Sequence, residues 1–144
     1  MVTTDENKER WKRFVVDVLN QGNLDALGEY FAADVNDYSL PSGYSGYEGL
    51  EAFLMQLLEA FPDIEYHVED LIGEGDKVVC RSSWTGTHKS TFLGLEATGR
   101  RVRVSGIDIC RFVEGRVVDH WGAFDVDGLM EQLGKPRRVK PTDN

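Results

Sequence analysis

The sequence predicts an α+β fold in which helices come first and a mostly antiparallel sheet follows. Up to Phe61, apolar residues recur every three or four positions, which is typical of amphipathic helices. Beyond Pro62, apolar and polar residues alternate, which is typical of strands with one buried face. Helices packed on one face of such a sheet form a two-layer domain. We therefore expect a curved, mostly antiparallel sheet wrapped over three N-terminal helices, enclosing a cone-shaped cavity, with a short C-terminal helix.

The first two helices are predicted from an apolar stripe and from residues that end helices. The first helix opens at Thr4 and ends at Gly22. Its buried face is expected to carry Trp11, Phe14, Val15, Val18 and Leu19. Asn23 is a residue type that caps helices, so a second helix is predicted over Leu24 to Phe31.

The middle of the chain is predicted to change from helix to sheet. A short strand is expected over Val35 to Leu40, and a third helix over Tyr47 to Phe61, which Pro62 stops. Two longer strands are then expected over Ile64 to Gly73 and Asp76 to His88.

A long hairpin over Val104 to Asp125 is the part of the sheet that carries the functional signal. Glu114-Gly115 forms its turn, since glycine readily adopts the positive φ that a tight hairpin needs. A last helix is expected over Val126 to Leu133, ended by Gly134.

Two ionisable residues fall among apolar neighbours in this hairpin. Asp108 interrupts the apolar face of the first strand, and His120 shares the predicted inner face of the second strand with Val118, Gly122 and Phe124. A buried charge without a partner is costly. Each residue therefore has a structural partner or a chemical role, and we select Asp108 and His120 as candidate catalytic residues, able to form a dyad.

The remaining candidates would line the cavity. Aromatic side chains on predicted inner faces are either core or ligand contacts, and His88 ends the strand that carries Trp84. The candidates for substrate binding are Phe14, Tyr30, Tyr38, Phe53, Trp84, His88 and Phe124.

Composition narrows the classes of function. The 144 residues are 41% hydrophobic and 28% charged, as in one folded domain, and the basic run after Gly134 is expected to be a flexible tail over 135–144. A net charge of −9 argues against nucleic acid as a partner.

No apolar run approaches the ~20 residues of a membrane span, and the N-terminus lacks a signal-peptide core, so we expect a cytoplasmic protein without membrane contact. Cys80 and Cys110 are expected to be buried thiols, and no spacing suggests a metal or a cofactor.

The segments WTGTHKSTFLGLEATGRRV and SGIDICRFVEGRVVDHWGAFD, with the two-helix opening, resemble the SnoaL-like polyketide cyclase family. This family belongs to the superfamily typified by nuclear transport factor 2 and ketosteroid isomerase. The resemblance covers about residues 8 to 134. It implies the cone-shaped barrel, a hydrophobic small-molecule partner and a homodimer packed through the outer face of the sheet.

The resemblance transfers only some of the relatives' functional residues. In polyketide cyclases an aspartate follows a His-Trp pair on the last strand, where this chain has Gly122. Asp108 in IDICRF matches the run in which ketosteroid isomerases carry an aspartic acid. The isomerases' helix tyrosine falls at Phe14 and their base aspartate near Ser39, which argues against steroid isomerisation.

Three hypotheses follow from the sequence. The first is a cofactor-independent acid/base enzyme of cyclase, isomerase or hydrolase type, acting on a hydrophobic cyclic or polyketide-like molecule. The second is a non-catalytic binding module with the same pocket. The third is a structural dimer that presents its outer sheet face, including Ile107, Ile109 and Trp121, to a partner.

Overall fold

A computed structural model describes residues 2–135, so the basic tail expected after Gly134 lies almost wholly outside the described residues. Four α-helices and five strands follow the expected order of elements. The helices are α1 (Thr4–Phe14), α2 (Leu27–Tyr30), α3 (Gly46–Ala60) and α4 (Val126–Gln132). The strands are β1 (Phe31–Asp37), β2 (Glu65–Glu74), β3 (Lys77–Thr87), β4 (Arg101–Val113) and β5 (Arg116–Phe124). The α+β prediction is confirmed.

The first helix begins and ends as its sequence predicts. Thr3 and Glu6 form a capping box at its start, in which each side chain accepts a hydrogen bond from the other residue's backbone N–H. The helix continues beyond Phe14 as a π-helical segment, Val15–Asn20, and Gly22 then turns the chain with a φ of 71°. Every member of the predicted apolar stripe is buried.

The second helix is shorter than predicted. A single 3₁₀ turn, Leu24–Ala26, precedes α2, and the Asn23 side chain donates to Asp17 Oδ1 at 3.0 Å instead of capping the helix. Phe31 already belongs to β1, where it pairs with Val117 of β5 and is buried. Pairing within the sheet overrides the local helical pattern, so β1 starts at Phe31 and not at Val35.

The five strands form one sheet in the order β1-β5-β4-β3-β2. Only the β1–β5 pair is parallel; the other three pairs are antiparallel. The β4–β5 hairpin turns at Glu114 and Gly115, which have φ values of 50° and 80° as a type I′ turn requires. The predicted hairpin is thus confirmed.

A bulge in β5 corrects one predicted inner residue. Phe112 pairs with Val117, whereas Arg111 pairs with Asp119, which leaves Val118 as the extra residue. Val117 therefore fills the core in place of Val118. Beyond the bulge, His120 returns to the inner face opposite Cys110.

The helices cover the inner face of the sheet. The first helix, α1, packs on β2 and β3, and α3 packs on β1. A space remains between the helices and the sheet. At the C-terminal end, Asp125 caps α4 by accepting from Gly128 N–H at 2.9 Å. Within residues 2–135, no helix is both long enough and apolar enough to cross a membrane.

Candidate active site

A cavity of about 110 Å³ lies between the inner face of the sheet and the helices. Its walls are mainly aromatic and aliphatic side chains from α1, α3 and the sheet. Polar side chains are few, and they are Asp37, Ser39, Tyr66, Asp108 and His120. An apolar pocket with a few converging polar groups is the usual form of a small-molecule site.

The centre of the polar group is His120, which bonds to a carboxylate through each ring nitrogen. Nε2 lies 2.7 Å from Asp108 Oδ1, and Nδ1 lies 2.9 Å from Asp37 Oδ2. The side chains of His120 and Asp108 are 12% and 16% exposed, and that of Asp37 is fully buried. We call these three residues the His120 triad.

The register of the sheet brings the triad together. Asp37 pairs with His120 across the parallel β1–β5 ladder. On the other side, Asp108 pairs with Gly122, so His120 is its diagonal neighbour on β5. Diagonal neighbours on one face of a sheet are within reach of side chains of this length.

The two carboxylates make His120 a stable cation. Burial by itself lowers the pKa of His120, but the hydrogen bonds to Asp108 and Asp37 and their charges outweigh it and raise the pKa to about 9. Burial likewise raises the pKa of Asp37, yet the bond and charge of His120, with help from Ser39, hold it below its ordinary value. At neutral pH both imidazole N–H groups are therefore donated to carboxylates.

One oxygen of the triad remains available. Asp37 Oδ1 accepts from Ser39 N and Oγ at 2.9 and 2.6 Å, so both Asp37 oxygens are occupied. Asp108 Oδ2 has no hydrogen-bond donor among residues 2–135. All three members of the triad line the cavity, but Asp108 Oδ2 is the carboxylate oxygen left without a donor, so it is the atom that can meet a ligand.

Aromatic rings and a tyrosine complete the polar end of the cavity. Trp11 stacks on the His120 ring, with 6.2 Å between centroids and 26° between planes. Tyr66 also lines the cavity, and the Asn20 side chain bonds both its backbone N–H and C=O, at 2.6 and 3.0 Å. Burial, then the charge of Asp108, raises the pKa of Tyr66, so its phenol stays protonated.

Comparison with known proteins places this architecture in one family. The family model described as SnoaL-like polyketide cyclase matches residues 9–133. The chain is 30% identical over 132 residues to aklanonic acid methyl ester cyclase DauD of Streptomyces sp. (strain C5), covering 86% of this chain and 80% of that protein. The chain belongs to the SnoaL-like polyketide cyclase family.

Two further proteins are similar to this chain, one in sequence and one in structure. Nogalonic acid methyl ester cyclase of Streptomyces nogalater is 27% identical, over 85% of this chain and 93% of its own. The crystal structure of AclR of Streptomyces galilaeus, provisionally assigned as a hydroxylase, superposes with a TM-score of 0.82 at 28% identity, covering 92% of this chain and 98% of AclR. The SnoaL-like fold is therefore shown by sequence and by structure.

Four of the predicted binding residues line the cavity of this SnoaL-like chain. They are Phe14, Phe53, Trp84 and Phe124. Phe14 faces the cavity from α1, and Phe53 from α3. Trp84 and Phe124 come from β3 and β5. Their position is that of ligand contacts, and their role in binding stays a prediction.

The structure places the other three predicted binding residues away from the cavity. The hydroxyl of Tyr30 donates to Asp17 Oδ2 at 2.9 Å, in the π-helical segment that follows α1. Tyr38 is 62% exposed and stacks on Trp121 at the outer face of the sheet. His88 is fully buried beyond the end of β3, where Nδ1 accepts from Thr98 N–H at 3.2 Å.

Four site residues were not selected from the sequence: Trp11, Asp37, Ser39 and Tyr66. Two of them had a usable signal, because alternation from the buried Val35 places Asp37 and Ser39 on the same inner face. The resemblance placed a base carboxylate near Ser39, and the structure supplies a carboxylate two residues earlier. Across residues 2–135, no three His, Cys, Asp or Glu side chains are arranged to hold a metal ion.

Proposed function

We propose that this protein is a cofactor-independent acid/base enzyme that acts on a hydrophobic, ring-containing polyketide-like molecule. The observation that carries the proposal is the unshared Asp108 oxygen at the polar end of an apolar cavity, bonded through its other oxygen to a cationic His120 at 2.7 Å. The cyclases named among its relatives act on polyketide methyl esters. The shared family and cavity support a substrate of that class.

The proposed chemistry is proton transfer next to a carbonyl group. Asp108 Oδ2 accepts a proton from an acidic C–H, and the electron pair moves onto the carbonyl oxygen as an enolate. Tyr66 keeps its phenol proton and can donate it to that oxygen as a hydrogen bond. In a cyclase, the enolate carbon bonds to a second carbonyl carbon of the same molecule, the electron pair of that C=O moves onto its oxygen, and this oxygen takes the proton from Asp108. In an isomerase, a conjugated enolate instead takes the proton from Asp108 at a different carbon.

In this proposal His120 is a positioning residue. Both of its nitrogens are donors to carboxylates, and a pKa of about 9 leaves it cationic at neutral pH, so it is not a base. It fixes the Asp108 carboxylate and keeps a positive charge beside it. Asp37 in turn orients the ring from the other side, as the third group of a catalytic constellation does.

The proposal is tested by hydrogen exchange and turnover with two probes, aklanonic acid methyl ester and nogalonic acid methyl ester. In D₂O, wild-type protein should exchange the acidic C–H of a bound probe, followed by NMR, and Asp108→Asn should slow exchange by about 10²–10⁴-fold. Asp70→Asn is the matched control, since Asp70 is an exposed carboxylate paired with Arg81. Equal rates for Asp108→Asn and wild type would show that Asp108 is not the proton-transfer group.

The alternative is a binding module without chemistry, and the largely apolar lining of the cavity supports it. A binding module would hold the probes with measurable affinity but would exchange no proton and form no product. Isothermal titration of wild type beside the exchange experiment separates the two functions.

We also propose a homodimer formed through the outer face of the sheet. One apolar cross-strand row runs over that face, in which Ile72 pairs with Val79, Val79 with Ile109 and Ile109 with Trp121. Ile72, Ile109 and Trp121 are exposed in the single chain. Light scattering should show that Ile109→Asp is monomeric, whereas Val16→Asp, on an exposed helical site, keeps the wild-type mass.

A further inference from the structure

Gly122 is a glycine that the backbone does not require. It lies in the interior of β5, directly opposite Asp108, and its φ is not in the left-handed region that favours glycine. Glycine weakens a strand interior because it lacks a side chain to pack and loses more entropy on folding. Glycine at this position therefore indicates a requirement for space.

The space is occupied by the Asp108–His120 hydrogen bond. A Cβ atom built on Gly122 would lie 2.8 Å from Asp108 Oδ1, 3.1 Å from His120 Cε1 and 3.2 Å from His120 Nε2. The first distance is below the 3.0 Å that real Cβ atoms essentially never cross, so a side chain here requires the Asp108 carboxylate to move. The three contacts are on the two ends of a single hydrogen bond, so a methyl group would press between donor and acceptor.

The strand register explains why the carboxylate lies so close to position 122. Asp108 and Gly122 are a direct cross-strand pair, whereas His120 is two positions further along β5. To reach its diagonal neighbour, the Asp108 carboxylate must cross above the Cα of Gly122. Any side chain at position 122 rises through that path.

We propose that Gly122 is a positioning residue that keeps open the path of the Asp108–His120 hydrogen bond, so that a side chain at position 122 and this hydrogen bond exclude each other. The inference rests on the proposed function in one respect: Asp108 is the proton-transfer group that the hydrogen bond holds in place.

The residue at position 122 also determines whether β4 or β5 supplies the carboxylate that bonds to His120. A Cβ at position 122 would stand 3.2 Å from His120 Nε2, so a carboxylate carried by residue 122 would itself be within reach of that nitrogen, but only without the Asp108 side chain. The site accepts a carboxylate from β4 or from β5, not both. Gly122 thus sets which side of the cavity presents the carboxylate to a substrate, and hence which substrate carbon it reaches.

The first test follows the titration of His120 by NMR in the absence of any substrate. Gly122→Ala should lower its midpoint from about 9 by at least about one unit, because the bond to Asp108 is lost while the bond to Asp37 remains. Gly106→Ala is the matched control: its Cβ would meet Ala123 O and Phe124 Cβ, not the triad, so the His120 midpoint should not move. An unchanged midpoint in a folded Gly122→Ala protein would overturn the inference.

A second variant keeps the test decisive if Gly122→Ala does not fold. Removing the carboxylate in Asp108→Ala/Gly122→Ala should restore folding, since the closest contact of the new Cβ is Asp108 Oδ1. Failure of this double variant to fold, when Asp108→Ala alone folds, would contradict the proposed clash.

A double variant that moves the carboxylate from position 108 to position 122 is the positive control. Asp108→Gly/Gly122→Asp should recover a His120 midpoint within about one unit of wild type, because a carboxylate again lies beside Nε2. A midpoint that stays at the Asp108→Gly value would show that position 122 cannot supply the carboxylate. These readouts need no turnover, so a normal hydrogen-exchange rate in Asp108→Asn would refute the proposed function and leave the result on Gly122 to stand or fall separately.

Discussion

Between about pH 6.5 and pH 9, the stability of the protein should depend on pH mainly through His120. Its pKa in the folded state is about 9, above the 6.5 of an ordinary histidine, so the folded state binds its proton more tightly than the unfolded state. The stabilisation is then fully present below pH ~6.5 and is lost as the pH rises through about 9. Asp37 acts in the opposite window, because its lowered pKa gives stability that is lost only as the pH falls below the ordinary aspartate range.

The size of the effect follows from the difference between the two pKa values. A difference of about 2.5 units at ~1.4 kcal/mol per unit gives about 3 to 4 kcal/mol. This loss is a large part of the net stability of a typical domain, which is on the order of 5–15 kcal/mol. The other titratable groups close to the triad ionise above this window, since burial raises the pKa of Cys80 to about 11 and also raises those of Cys110 and Tyr66.

Urea unfolding at pH 6 and at pH 9.5, followed by tryptophan fluorescence, measures this loss. The double variant Asp37→Asn/Asp108→Asn removes both negative partners, so its stability should change much less between the two pH values. His67→Gln, at an exposed histidine beside Glu65, should retain the full change. A wild-type loss below about 1 kcal/mol, together with a His120 midpoint near 6.5 by NMR, would refute the assignment of a cationic triad.

Three further results are expected. Asp37→Asn alone should lower the His120 midpoint and cost about 2 kcal/mol in urea unfolding, because a charge-assisted bond at 2.9 Å is replaced; an unchanged midpoint would contradict the pairing. Thr3→Ala should cost about 1 kcal/mol through the lost capping box, with no change in the His120 titration, and a thermal melt measures it. Leu54→Trp should fill the cavity and abolish probe binding in calorimetry, while a variant that still binds would show that ligands use another surface.

The sequence revealed the two site residues that break an apolar alternation. Asp108 and His120 belong to a local hairpin, so their common face can be read from the order of residues around one turn. Asp37 is different, because it meets His120 from a strand 83 positions away in the chain. No local pattern indicates that β1 joins the sheet beside β5, in parallel, and places Asp37 at that histidine.

The error in the predicted inner face of β5 and the error in the predicted cavity lining have a similar cause. A single extra residue in β5 moved Val117 into the core in place of Val118, and a bulge is not visible in the order of apolar residues alone. Tyr38 is selected by its residue type within the predicted strand Val35 to Leu40, yet its ring stacks on the outer face because strand pairing fixes its side. Residue type identifies an aromatic ring that will be packed, but the sheet register decides whether it packs inside the barrel or outside it.

The charges of the triad explain why the proposed proton transfer suits an apolar cavity. The proposed reaction uses Asp108 as a carboxylate, so with His120 protonated and Asp37 ionised the group carries a net charge of −1. When Asp108 takes a proton from the substrate, that charge moves to the enolate, so the total charge inside the cavity does not change. No new charge has to be created in a medium that solvates it poorly. The tyrosine that lines the same end of the cavity, Tyr66, can then stabilise the displaced charge with a phenol proton that its raised pKa keeps in place.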